Sequence, residues 1–149
     1  MRSIALRIAL PALLALSLGS CATGYHSVEG PISGWTGGYW DQPGPGELLK
    51  VGFDGNGYID RPTITAYLMY HCAELAQKRH KPYFRVYASL SDAIRNVPVD
   101  EVAIGRVGGK LDDWVFLLFD DEPTPGDRET ARVLDQYRDQ VLHQAEKHS

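Results

Sequence analysis

Cysteine is scarce in this chain: Cys21 and Cys72 are the two among 149 residues. No Cys-x-x-Cys, His-Glu-x-x-His or phosphate-binding glycine loop occurs, which removes the usual redox, zinc-peptidase and nucleotide signatures. Gly-x-Ser-x-Gly is also missing, and with it the strained strand-to-helix serine of a hydrolase elbow. Basic residues are outnumbered, 15 against 19 acidic, for a net charge of −4. That balance, with no basic stripe, argues against nucleic acid as a partner and against charge-driven binding to anionic lipid. The longest apolar run, residues 8–18, is too short for a stable membrane span. No internal repeat or low-complexity tract appears, and the length excludes a multi-domain enzyme.

The first twenty residues differ from the rest. Arg2 and Arg7 precede the apolar run, and no acid occurs before Glu29, the proportions of a secretory signal. Without those two arginines the net charge moves from −4 to −6. The remaining residues are about 40% apolar, ordinary for one globular domain, and eight Tyr, three Trp and four Phe can supply its core. The run ends in Leu18-Gly19-Ser20-Cys21, which resembles the lipobox of bacterial lipoproteins. Small residues before the cysteine suit a narrow peptidase site, and a free thiol is needed to accept a diacylglyceryl group. The resemblance implies cleavage before Cys21 and a lipid anchor on it, since two or three acyl chains hold a protein on a bilayer stably. Ala22 rather than Asp after the cysteine implies the outer membrane, facing the periplasm. With Cys21 acylated, Cys72 is the only thiol left and no intramolecular disulfide can form.

Three parts follow from this reading: a signal peptide over 1–20, a lipidated Gly/Pro-rich tether over 21–46, and a globular domain over 47–149. Tyr25, Trp35, Tyr39 and Trp40 interrupt the tether. They read as an interfacial or sugar-stacking cluster, or, preferably, Tyr39 and Trp40 open the first strand and pack on the domain. Leu49, Val51 and Phe53 alternate with less apolar residues, as in a half-buried strand. Asp60 is placed to cap a helix with Pro62 in its first turn, ending before Pro82. Ile64, Leu68, Cys72 and Leu75 share one face of it, so Cys72 reads as a buried, inert thiol. A second strand runs from residue 83 to 88, and 91–96 suits a short helical turn. Residues 101–107 and 113–119 read as a hairpin around Gly108-Gly109. The second arm, Trp114 to Phe119, is apolar on both faces, like a central strand covered on two sides or one that offers a face to a partner. The last helix is expected to start at Thr124-Pro125. The sum is ββαβββα, an α+β two-layer domain with two helices on a mainly antiparallel sheet.

Candidate chemistry is thin. Asp54, Asn56 and Asp60 imitate part of a calcium loop, but placing Gly57 sixth puts Gly52 first and Thr63 twelfth, so both essential ligand positions are empty. The structural alternative has Gly55 and Gly57 make the strand-to-helix turn, with Asn56 tolerating positive φ. Asp112-Asp113 and Asp120-Asp121-Glu122 lie about 25 Å apart at opposite strand ends, cannot share a metal, and read as solvated. His26 falls in the tether and His143 and His148 in the last helix, while His71 and His80 lack ligand spacing; each reads as a surface or boundary residue.

The chain also resembles a family of small bacterial lipoproteins of unknown function. The resemblance rests on Gly38-Tyr39, Val51-Gly52-Phe53, Gly55-Asn56-Gly57-Tyr58, Arg61, Tyr67, Ala73-Glu74-Leu75 and Tyr83-Phe84. It implies a shared fold and a cell-envelope location, and carries over no catalytic residue or cofactor. Arg61 and Glu74, about 20 Å apart along one helix, are not a pair; Glu74 is expected to bond the 55–58 turn or Arg85. The leading expectation is a non-enzymatic module anchored through Cys21 that contacts an envelope protein or polymer. The alternative is a weak calcium-binding protein or small envelope hydrolase using the 54–60 turn.

Overall fold

A computed structural model describes residues 24–28, 37–55, 59–99 and 112–146. The expected signal peptide, Cys21, Trp35, the 56–58 segment, the strand expected over 101–107 with its Gly108-Gly109 turn, and His148 lie outside the described residues. Within them the order is β1 (Gly38–Pro43), β2 (Leu49–Asp54), α1 (Arg61–Lys78), β3 (Tyr83–Tyr87), α2 (Leu90–Ile94), β4 (Asp112–Asp120), β5 (Arg128–Glu129) and α3 (Thr130–Glu146). The strands form one sheet in the order β1-β2-β4-β3-β5, with each neighbouring pair antiparallel. The fold is α+β, as the periodicities imply. α1 carries the chain across β4 from β2 to β3, so those two strands run parallel with β4 antiparallel between them.

α1 starts where its sequence says it should. Asp60 stands in extended backbone and its carboxylate accepts the Thr63 N–H at 2.9 Å, with Pro62 in the first turn. Asp60→Ala should cost about 1 kcal/mol, the usual worth of such a cap, read as a lowered midpoint in urea denaturation. Ile64, Leu68, Cys72 and Leu75 are buried as their spacing predicts, but so are Thr63, Tyr67, His71 and Ala73. The helix is covered on several sides. Val51, Phe53, Val115 and Leu117 meet it from the sheet, and Val133, Leu134 and Val141 of α3 join the same core. Tyr25 packs against it as well.

Two boundaries move. The tether does not extend to residue 46, because Gly38–Pro43 is a full edge strand paired with β2. Residues 24–28 also dock: the Tyr39 N–H donates to the His26 carbonyl at 2.8 Å and the Val28 N–H to the Tyr39 carbonyl at 3.1 Å. His26 is therefore held beside β1. The last helix starts at Thr130 rather than at Thr124. Gly126 adopts φ +91, which no helix continues, and the Asp127 carboxylate accepts from the Thr124 hydroxyl, closing a local turn. Arg128 and Glu129 then pair with β3, and the Thr130 hydroxyl donates to the Lys81 carbonyl. Cap-type residues were present, but strand pairing used the backbone that an earlier helix start would have needed.

Candidate functional site

Apart from an ion-pair network around Arg85, two neighbourhoods concentrate polar chemistry, and they lie on opposite faces of the sheet. On the helix side, His71 is almost fully buried. Its Nε2 lies 3.2 Å from Asp41 of β1, and its Nδ1 lies 3.6 Å from Glu74, one turn along α1. The Tyr39 ring stacks on the imidazole at 4.1 Å between centroids. Tyr25 reaches in from the docked segment and donates its hydroxyl to Glu74. Burial pushes the Tyr25 phenol far up, reinforced by that bond. Glu74 is pushed upward by burial, yet the nearby His71 ring and the bond from Tyr25 outweigh it and hold the carboxyl below its ordinary range.

Sequence reasoning missed this cluster, and it corrects two expectations. His71 is a core residue rather than a boundary one. Glu74 does not meet Arg85, which is engaged with Asp120. The signal that existed was an i, i+3 His–Glu pair inside an otherwise apolar helix. The two carboxylates sit at opposite ring nitrogens, so they cannot converge with the imidazole on one ion. No group of three or more His, Cys, Asp or Glu able to hold a metal occurs among the described residues.

The geometry makes the cluster a latch for residues 24–28. Glu74→Gln should weaken it, raising amide exchange of residues 24–28 while α1 and the sheet keep their protection. The pH dependence has a defined sign. A folded-state pKa below the ordinary value contributes stability that is complete above about pH 4.5 and is lost as pH falls through the depressed value. The latch should therefore open in acid before the core does.

The other face of the sheet carries no long helix among the described residues. Strand alternation sends Trp114, Phe116 and Leu118 of β4 to it, and the register places Trp114 opposite Gly52 and Phe116 opposite Lys50. Trp40 of β1 is the partner of Gly52 on its other side. Its indole lies flat over Gly52, where an added Cβ would come within 2.2 Å of the ring. Glycine is thus required at 52 for the ring to lie across the strand. The Trp40 Nε1–H donates to Asp54 at 2.9 Å, fixing the ring's rotation.

Lys50 lies between the two indoles, with its Nζ 4.2 Å from the Trp114 ring centroid and 5.7 Å from that of Trp40. Its charge is met by π faces, and no carboxylate among the described residues pairs with it. Trp114 stays 40% exposed. Alongside runs a 410 Å³ groove lined by Leu48, Tyr87, Leu90, Ala93, Ile94 and Leu118. Ile94 is 78% exposed at its lip. Among the described residues the doubly apolar strand therefore has α1 and α3 on one face and, beside the short α2, offers the other.

Gly55 is buried at the end of the hairpin, Arg61 is exposed in the first turn of α1, and Asn56, Gly57 and Tyr58 are not among the described residues. Asp54 accepts from Trp40 and Asp60 caps α1, so each carboxylate has a structural task in this fold. Asp113, expected to be solvated, is 4% exposed. Cys72 is fully buried, and desolvation pushes its thiol up, as an inert core cysteine requires. No protein-family model, curated protein or solved structure matches the chain.

Proposed function

We propose that this chain is a lipid-anchored cell-envelope module, held at the outer membrane through Cys21, that works by binding rather than by catalysis. The observation that carries the binding half is the sheet face that bears no long helix among the described residues, where Trp114 stays exposed beside a cation that no described carboxylate neutralises. Exposed aromatic surface of this kind characterises contact sites. The anchoring half is supported by the two early arginines, the apolar run and the Leu18-Gly19-Ser20-Cys21 box.

The docked segment adds a constraint to this reading. Three peptide steps separate Cys21 from Gly24, where the described chain begins, a reach of at most about 11 Å. The lipid then holds the domain close to the bilayer surface, with β1 and the Tyr25 latch nearest the anchor.

Cell fractionation tests the anchor. Cys21→Ala should leave a folded protein in the soluble fraction, and persistent membrane association of that variant would overturn the assignment. Crosslinking in living cells tests the face: Trp114→Ala should lose the envelope contact made by the unmodified chain, and an unchanged crosslinking pattern would remove the sheet face from consideration.

A further inference from the structure

We infer that the Trp40–Lys50–Trp114 site binds a saccharide chain, with a pyranose ring against the exposed Trp114 indole and its hydroxyls on Lys50 and Asp54. This rests on the reading of the Trp114 face of the sheet as the contact surface, and names what the face contacts.

The chemistry of the site decides among ligand classes. An indole face is apolar but electron-rich, and it suits the polarised C–H face of a sugar as well as it suits hydrocarbon. What surrounds it here is not apolar. Lys50 supplies three N–H donors at the centre of the patch, and its nearest described partners are the two rings rather than an acceptor. Asp54 supplies an acceptor at the rim, with one oxygen on Trp40 Nε1. A purely apolar helix or acyl chain laid across this site would have to strip water from an ammonium and a carboxylate without replacing it. A strongly anionic ligand would meet Lys50 favourably but Asp54 unfavourably. A hydroxylated ring both donates and accepts, so it can satisfy both charges while stacking on the indole between them.

The site is also fixed before any ligand arrives. Gly52 lets Trp40 lie flat, Asp54 holds its ring nitrogen, and the Trp114 ring meets Phe116 edge-on at 5.4 Å. Rigid aromatic anchors lose little freedom on binding.

The test uses the full-length lipoprotein extracted in detergent, with chitotetraose and cellotetraose as probes, read by intrinsic tryptophan fluorescence and by calorimetry. The expected result is a saturable response to at least one tetrasaccharide, with a Kd in the millimolar range or tighter. Trp114→Ala should weaken it by about tenfold or more. Lys50→Met keeps the stem over the indoles and removes the donors, and should weaken it by roughly three- to tenfold. An unchanged melting temperature in each variant separates lost binding from lost fold.

No saturable response to either sugar up to roughly 20 mM would overturn the saccharide assignment. In that case, binding of phosphatidylethanolamine–phosphatidylglycerol vesicles lost in Trp114→Ala would keep the contact face and change its partner to lipid. If Trp114→Ala also leaves the crosslinking pattern in cells unchanged, the contact-face reading falls with it.

Discussion

Replacing Arg85 with alanine should cost about 3–5 kcal/mol, the penalty for stranding buried charges. The guanidinium grips Asp120 in a two-pronged pair, Nε to Oδ2 at 3.0 Å and Nη2 to Oδ1 at 3.1 Å. The same Nε lies 3.1 Å from Asp127, whose side chain is 3% exposed. Nη1 donates to the Asn96 side-chain oxygen at 2.9 Å, which also accepts from the Tyr87 hydroxyl. One cation therefore ties β3 to the end of β4, to the turn before β5 and to the residues that follow α2. Desolvation opposes the charge, but the bonds to Asp120 outweigh it and raise the Arg85 pKa further.

Alanine would leave two carboxylates facing each other with no cation between them. Against a total stability of roughly 5–15 kcal/mol, that is a large fraction. Urea denaturation should register it, with a melting temperature lower by roughly 10 °C or more. A loss under about 1 kcal/mol, the worth of a surface pair, would mean that the network is solvated and not structural. Arg85→Lys should recover only part of the loss, because an ammonium cannot serve Asp120 with two parallel bonds.

Asp113→Asn should act in the opposite direction and make the protein more stable at neutral pH. Asp113 is buried at the start of β4. Its Oδ1 accepts the Trp114 N–H at 2.8 Å, while its buried Oδ2 has no partner among the described residues. Burial pushes its pKa up to about 7, against the smaller pull of that one backbone bond. The folded state then holds a proton that the unfolded chain releases near pH 4. Folded molecules bind more protons than unfolded ones between about pH 4 and 7, so this group's contribution to stability falls as pH rises through that window.

The accumulated penalty above pH 7 is on the order of 4 kcal/mol, from the size of the displacement. Asparagine keeps the acceptor for Trp114 and never ionises. Stability of the two proteins measured by urea from pH 4 to pH 8 should coincide in acid and diverge toward alkali, with the variant ahead. Parallel curves would show that the carboxyl is hydrated or paired in the folded state. Glu74 has the opposite sign and a lower window, so the difference between the two curves isolates Asp113.

Local chemistry determined much of this protein. Asp60, Pro62 and Pro82 set the limits of α1 without help from distant residues, because a cap and a missing N–H act within one turn. Alternation in 49–53, 83–87 and 113–119 was enough to place three strands and to show that β4 is apolar on both sides. The burial of Cys72 followed from helical spacing alone. The proposed signal and its Cys21 anchor rest likewise on sequence order alone.

Tertiary structure decided what depends on who sits beside whom. Thr124-Pro125 has the residues of a helix start, yet β5 forms first along the chain because β3 has a free edge to fill. His71 and Glu74 were ordinary helix residues until β1 and Tyr25 closed over them, which spacing along α1 cannot show. Asp113 looks like a solvated strand end until the register sets it opposite Phe53 in the core layer. Lys50, Trp40 and Trp114 come from three separate strands, and only their side-by-side order β1-β2-β4 brings two indoles to one ammonium. Periodicity fixes which face a residue points to. The sheet order fixes its neighbours, and at this site the chemistry belongs to the neighbours.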